Sequence, residues 1–513
     1  MTRAQVGMDA PQVIVETHLP GGLPGFTLVG MPETAVREAR DRVRSALANC
    51  GFEFPAGRVI VNLAPADLIK EGSRFDLAIA ISILRATGQI SPPSRMAAPC
   101  EFLGELSLTG TLREIRGCLC AALHLTPGTT LVVPLANASE AALAADRMLP
   151  LAHLSDVVRM LTQPGSARSR FRPPVTSRPD TGCANAKHAG DQPDSAQEDI
   201  LGQLAAKRAL AVAATGSHHL LMIGPPGTGK SLLARRLPQL LPNLAEHKAM
   251  AVAAVYSAIG LARREIDQPP LRNPHHSISV AAMVGGGSSP RPGEISLAHH
   301  GVLFLDELPH FKPSVLDALR EPLETHEISI VRAKGRARFP AEFQLLAAMN
   351  PCPAGLSCST NSCRCRPDQV QRYLSRISGP LLDRIDLHVS VPEVPRELLL
   401  AGAPSESDTI KATAEDVLRA RERQLRRQGK LNAQLRGREL DPNHILDKTG
   451  RALLRRAAER YRLSARGFHR VLRLAQTVAD LENSKRIVPA HVGEALSYRA
   501  LDWAAVGSPT RYD

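Results

Sequence analysis

The chain has 513 residues, 43% of them hydrophobic and 22% charged, and a formal net charge of +13. That is more chain than one core usually organises and implies roughly two to four domains, while the longest apolar runs, such as DLAIAISIL, are too short to span a bilayer. No bilayer-spanning apolar segment is therefore expected. The stretch MTRAQVGMDAPQVIVE enters a strand-like pattern with no long apolar run or small-residue cleavage site. It predicts a cytoplasmic protein with reduced thiols, in which clustered cysteines point to metal or redox chemistry.

Residues 1–163 alternate strand-like runs (PQVIVETHL, RVIVNLA, TTLVVPLA) with helical ones (PETAVREARDRVRSALANCG, EAALAADRML), an α+β or α/β pattern. Residues 164–197 are rich in Pro, Ser, Gly and charge, lack periodicity and read as a disordered linker. Strands and helices alternate again over residues 198–395.

In this second region LLMIGPPGTGKSLLARRL places a glycine-rich loop between an apolar strand and a helix. The spacing of Gly224 from Gly229, Lys230 and Ser231 is that of a phosphate-binding loop, with Pro225, Pro226, Gly227 and Thr228 between. Such a loop turns backbone N–H groups toward phosphates, adds the helix dipole, extends Lys230 to the β and γ phosphates and offers the Ser231 hydroxyl to Mg²⁺. The reading implies ATP and Mg²⁺ as cofactors.

Downstream, NPHHSISVAAMVGGGSSPRPGEISLAHH carries His275, His276, His299 and His300, paired neighbours that diverge on a strand and have no cysteine or carboxylate at a ligand spacing. A second apolar strand, GVLFLDEL, ends in Asp306 and Glu307. Adjacent strand residues point to opposite faces, so Asp306 is expected to serve the Mg²⁺ shell and Glu307 to polarise the attacking water. In ISIVRAKGRARF, Arg332, Lys334, Arg336 and Arg338 recur at every second residue around a KG turn. This predicts a hairpin showing cations on one side, either as a track for a nucleic-acid backbone or as a solvated face.

Directly after the apolar strand ending in Asn350 come Cys352, Cys358, Cys363 and Cys365. Four such thiolates can hold one Zn²⁺, remain free thiols or form a redox switch. Residues 396–513 are helical and arginine-rich. From Lys411 to Asp513 there are 22 Lys and Arg against 12 Asp and Glu, which suits a surface that meets phosphates as well as an ordinary solvated helical face.

Taken in order, the phosphate loop, VLFLDEL, LLAAMNPCPAG, RISGPLLDRIDLHV and SARGFHRVLRLAQTVADL resemble the magnesium chelatase-like AAA+ ATPases. GLPGFTLVGMPETAVREARDRVRSAL and VNLAPADLIKEGSRFDLAIAISIL make the resemblance closest to the ComM/YifB family, over nearly the whole chain. It implies a multidomain α/β protein with a Lon protease-like α+β domain at 1–163, an AAA+ core with a parallel sheet at 198–395 and a helical lid at 396–513. By this resemblance Asn350 looks like the sensor that positions water, Arg384 like the finger inserted into a neighbouring subunit's site, and Arg466 like the second sensor from the lid; Arg376 and Arg470 lie close to these positions. Lon's nucleophile stretch and lysine motif correspond to KEGSRFD and REIRGCLC, where Arg74 and Leu119 replace the serine and the lysine. A non-peptidase scaffold or binding module is expected there. The family's cysteine motif differs from this chain at Ala354, for which Cys358 can substitute.

The resemblance implies a ring, expected to be a hexamer, that hydrolyses ATP and acts on DNA. Single-stranded or branched DNA would be held by the hairpin cations Arg332, Lys334 and Arg336 and by the basic lid, as in a helicase or branch-migration factor of recombination or natural transformation. The alternative is a chaperone-like ATPase that remodels a protein partner, as in magnesium chelatase.

Overall fold

A computed structural model describes residues 1–31, 33, 36, 38–91, 99–145, 147–163, 202–261, 263, 265–287, 290–332, 335–355, 365–394, 407–440, 446–460 and 463–499, with side chains at all of these except 332, 335, 407–413 and 438. The expected linker at 164–197 lies outside the described residues.

In the N-terminal part the period-two runs QVIVETH and RVIVNLA form antiparallel neighbours, the strands Gln12–His18 and Arg58–Ala64. They bury Val13, Val59, Val61 and Leu63 on one face. Thr2–Arg3 and Gly25–Val29 complete a four-stranded mixed sheet, the latter parallel to Arg58–Ala64. The run DLAIAISIL becomes the helix Asp76–Ala86, buried almost all round against this sheet. Its apolar character is thus spent on a protein core, and among the described residues no helix is long and apolar enough to cross a membrane. A separate parallel sheet joins Cys100–Phe102, Thr130–Pro134 and Met148–Leu151.

The second region is built on a five-stranded parallel sheet in the order Leu271–Arg272, Val302–Leu305, Gln344–Met349, Leu220–Ile223, Leu387–Ser390. VLFL, QLLAAM and LLMI are buried at every position, which is why these strands read as continuous apolar runs: helices cover both faces of a parallel sheet. Leu220–Ile223, first in sequence, lies between the fourth and fifth strands, so chain direction across the sheet switches beside it. Open sheets of this kind bind ligands at the carboxyl ends of the strands flanking such a switch.

The helices Ser407–Gln428, Lys448–Arg460, Ala465–Leu481 and Pro489–Ser497 share an apolar cluster with the sheet and with the helix Leu204–Gly216. A buried polar chain stitches the two together. The His218 ring meets Asp386 through Nδ1 at 3.1 Å and Thr477 through Nε2 at 2.8 Å, and Asn432 donates to Thr477 and Asp480. Burial alone would raise the Asp386 carboxyl, but the His218 hydrogen bond and charge hold it below its ordinary range. The N-terminal part is joined to the core just as closely: the helix Cys118–Leu123 packs its Leu119, Ala121 and Ala122 near Ala253, Ala254 and Ala258 of the helix Glu246–Ala258. Gly117 N–H donates to the Ser257 carbonyl at 2.8 Å and Leu119 N–H to the Ser257 hydroxyl at 3.3 Å. Small side chains permit this approach and let two backbone N–H groups hydrogen-bond across the seam.

Candidate nucleotide site

The loop after Leu220–Ile223 is shaped by backbone that other residues would not tolerate. A Cβ on Gly224 would lie 2.1 Å from the Val391 carbonyl oxygen, and Gly227 and Gly229 hold φ of 77° and 85°. The helix Lys230–Leu240 starts directly behind, so its free N–H groups face the loop. Thr228 closes the turn by donating to the Pro225 carbonyl at 2.9 Å. Lys230 is buried and curls over the loop, donating to the carbonyls of Gly224 (2.7 Å) and Pro225 (2.6 Å) and to Asn350 Oδ1 (3.2 Å). Burial lowers the pKa of its ammonium, and the nearby Asp306 carboxylate opposes that.

Ser231 Oγ donates to Asp306 Oδ2 at 2.6 Å, which brings together two hard oxygen donors 75 positions apart in the chain. Hard oxygens in this setting suit Mg²⁺. The division of work between Asp306 and Glu307 does not come from strand alternation as the sequence suggests. The strand ends at Leu305, and Glu307 takes the left-handed conformation at φ 54° in a turn, with its N–H donating to Asp306 Oδ1 at 2.9 Å and its carbonyl accepting from His310 N–H at 2.8 Å. The turn leaves the Glu307 carboxylate half-exposed and 3.5 Å from His276 Nδ1.

The residues expected at the site divide into two sets. Residues 224–231, Asp306, Glu307 and Asn350 converge at the carboxyl ends of three neighbouring strands. Arg384 does not join them: its guanidinium pairs with Glu324 and donates to the Pro380 carbonyl at 2.6 Å. Arg466 is exposed in the first turn of Ala465–Leu481, whereas Arg470, one turn on, is buried 4.0 Å from Asp383. Arg376 donates to the Pro309 carbonyl at 3.4 Å.

Of the four clustered cysteines, Cys352 is buried and Cys365 partly so, while Cys358 and Cys363 lie outside the described residues. Among the described residues no group of three His, Cys, Asp or Glu is placed to hold a metal ion. His299 and His300 stack on each other with ring centroids 3.8 Å apart, and burial lowers them to about 3 and about 4. His299 Nδ1 accepts from Glu342 N–H at 3.1 Å, a packing role.

Two side chains near the site escape sequence reading. His276 reaches Glu307 because the segment after Leu271–Arg272 folds back beside the turn, where it also meets the His310 ring at 5.9 Å. Tyr373 packs against His310 at 6.1 Å, and its hydroxyl is pushed up to about 12, chiefly by burial. Neither has a fixed spacing to the phosphate loop, so no sequence motif announces it.

The expected basic hairpin is present as Glu327–Arg332 paired with Gly335–Pro340. Ile328, Ile330, Ala337 and Phe339 are buried, and Arg336 and Arg338 are exposed on the other face. The register corrects the one-sided expectation. Val331 pairs with Arg336 and Arg332 with Gly335, so position 332 belongs to the ladder face of Ile330 and Ala337, opposite that of Arg336 and Arg338. Lys334 lies outside the described residues.

Comparison with known proteins agrees with this geometry. Three family models match: magnesium chelatase, subunit ChlI, over residues 196–399; subunit ChlI of Mg-chelatase over 15–137; and the ChlI C-terminal region over 407–499. Competence protein ComM of Haemophilus influenzae is 46% identical over 507 residues, covering 98% of this chain and 97% of that protein. YifB of Salmonella typhimurium is 44% identical over 505 residues, covering 98% and 96%. A more distant match, 27% identical over 294 residues, is DNA replication licensing factor Mcm6 of Drosophila melanogaster, covering 55% of this chain and 32% of that one. With near-complete coverage of both chains and a phosphate loop, acidic pair and Asn350 in one place, the chain belongs to the ComM and YifB family of magnesium chelatase-like AAA+ ATPases.

Proposed function

We propose that the protein is a ring-forming motor, a hexamer by family resemblance, that couples ATP hydrolysis to movement on branched or single-stranded DNA. The observation that carries the ATPase half is the 2.6 Å contact between Ser231 and Asp306 beside a Lys230 held by Asn350. In this reading Lys230 exchanges its loop carbonyls for phosphate oxygens, and Ser231 and Asp306 supply oxygens to the metal shell. When bound, Mg²⁺ neutralises charge developing on the phosphates. Glu307 accepts a proton from, or orients, the attacking water, and Asn350 fixes the opposite side of that water. Arg384 and Arg466 act from a neighbouring subunit and from the lid.

DNA as the substrate is favoured by which cations remain available once the chain is folded. Much of the lid's arginine is consumed internally: Arg427 pairs with Asp480 at 2.6 Å, Arg421 donates to the Ala214 carbonyl at 2.5 Å and Arg473 to that of Ala433 at 2.8 Å. The helix Lys448–Arg460 is different. Lys448, Arg455 and Arg456 are exposed there, with Glu459 the single acid of the helix. Together with Arg336 and Arg338 on the hairpin this provides two cationic surfaces for phosphates. Relatives named a competence protein and a DNA replication licensing factor point the same way. The second reading, a chaperone-like ATPase that remodels a protein partner, draws on the likeness to magnesium chelatase.

ATP hydrolysis by the assembled protein, measured with and without forked and four-way DNA, separates the two. Stimulation of several-fold by one of these DNAs is expected. Hydrolysis indifferent to every DNA tested would transfer support to the partner-remodelling reading.

A further inference from the structure

We infer that the cleft between the N-terminal part and the ATPase core is a receptor for a small anion, a carboxylate or phosphate carried on a polar molecule. The cleft measures about 330 Å³, within the range of small-molecule sites, and both regions of the chain line it. Ser73, Arg74 and Arg116 come from the N-terminal side, and Ala258, Arg291 and Pro292 from the core side.

Arg74 is the unusual member. It is 6% exposed. Its Nη2 donates to Gln5 Oε1 at 2.5 Å and to the Arg116 carbonyl at 2.6 Å, whereas Nη1 has no partner among the described residues. No carboxylate among the described residues lies within 4.0 Å of it. A buried guanidinium with neutral acceptors alone is costly unless an anion completes it. The cleft that Arg74 lines offers room for that anion, which would meet the solvent-closed Nη1 by a turn of the side chain, and its mouth carries one further arginine from each side, the exposed Arg116 and Arg291.

Acidic residues also line the cleft, and they narrow the ligand. Glu105 already accepts from the Ser73 hydroxyl and lies 3.6 Å from Arg113. Glu71 and Glu114 remain. The lining thus holds three arginines and three carboxylates, with Glu105 shared with Arg113, a balance that favours a compact anion that carries N–H or O–H donors over a long polyanion, which the glutamates would repel. The site is therefore separate from the proposed DNA surfaces.

Its position gives occupancy a mechanical consequence. Arg291–Pro292 pairs with Gly285–Gly286, and a Cβ on Gly285 would lie 2.3 Å from the Arg291 carbonyl oxygen and 3.1 Å from Ile330 of the basic hairpin. An anion bridging Arg74 and Arg291 would pin the N-terminal part to the strand pair on which that hairpin rests.

The test is calorimetric titration and thermal unfolding of the full chain with inorganic phosphate, citrate and succinate, against sodium chloride at matched ionic strength. The phosphate and carboxylate arms distinguish the two sources of the anion. Saturable binding of at least one probe with a raised Tm is expected, weakened about tenfold by Arg291→Ala and by Arg116→Ala, the scale of a lost charge-assisted hydrogen bond. These two residues are exposed, so the test does not depend on Arg74→Gln, which removes a buried group and endangers folding. Lys230→Ala should bind the probe as the parent does. No saturable binding of any probe would overturn the proposal. So would binding unchanged in both arginine variants or lost in Lys230→Ala, which would place the anion in the phosphate loop.

Discussion

At Glu307 the left-handed backbone and the His276 ring 3.5 Å away set where a carboxylate stands relative to the phosphate loop. The identity of this residue is legible in VLFLDEL; its geometry is not, because the strand stops at Leu305 and a turn, not pleat alternation, separates Asp306 from Glu307. Glu307→Gln keeps the size of the side chain and removes its basicity, leaving Lys230, Ser231 and Asp306 in place. Nucleotide affinity should therefore stay within about threefold while turnover falls at least ~100-fold, the usual scale for losing a group that activates water. Steady-state hydrolysis together with a fluorescent-nucleotide titration checks both halves, and turnover near the parent's would remove Glu307 from the proposed role.

At the scale of elements, the basic hairpin illustrates how far a period-two pattern carries. The strands form as expected, yet the register Arg332 to Gly335 leaves only a two-residue connection, so the alternation that places Arg336 and Arg338 outward puts position 332 on the other ladder face. Counting every second residue across a turn fails because the chain reverses and the pleat restarts from the pairing, not from the sequence number. Arg336→Ala with Arg338→Ala leaves the buried face of Ile328, Ile330, Ala337 and Phe339 intact. Basal hydrolysis should persist and stimulation by DNA should be lost. The slope of log affinity against log salt should fall by roughly two, close to 0.9 per phosphate contact removed. An unchanged slope with full stimulation would mean the hairpin does not touch DNA.

For the whole molecule the decisive matter is assembly. Arg384 has no contact with the phosphate loop of its own chain, being held by Glu324 and the Pro380 carbonyl, and in the proposed ring it completes a neighbour's site. A guanidinium in that role acts only across a subunit junction. Arg384→Ala should bind ATP normally and hydrolyse it poorly. Mixing it with Glu307→Gln should recover part of the parental rate, because some junctions in mixed rings then combine an intact Glu307 with an intact Arg384. Titrating one variant into the other at constant total protein measures this, and a strictly additive, uniformly low rate would argue that Arg384 works within its own chain.

What the sequence by itself determined are the features written in contiguous residues: the glycine loop with Lys230 and Ser231, the acidic pair at a strand end, the apolar runs of a parallel sheet and the basic bias of the C-terminal helices. Each depends on local backbone chemistry or on a repeat of a few residues. Tertiary structure alone decided which partners meet across long stretches of chain. It set His276 beside Glu307, tied Arg427 to Asp480 while leaving Arg455 and Arg456 exposed, and buried Arg74 in a cleft shared with Arg291. A charge in a sequence has the same symbol whether it is solvated, paired or buried alone, and packing assigns it to one of these states because desolvation and pairing energies depend on neighbours that only the fold brings near.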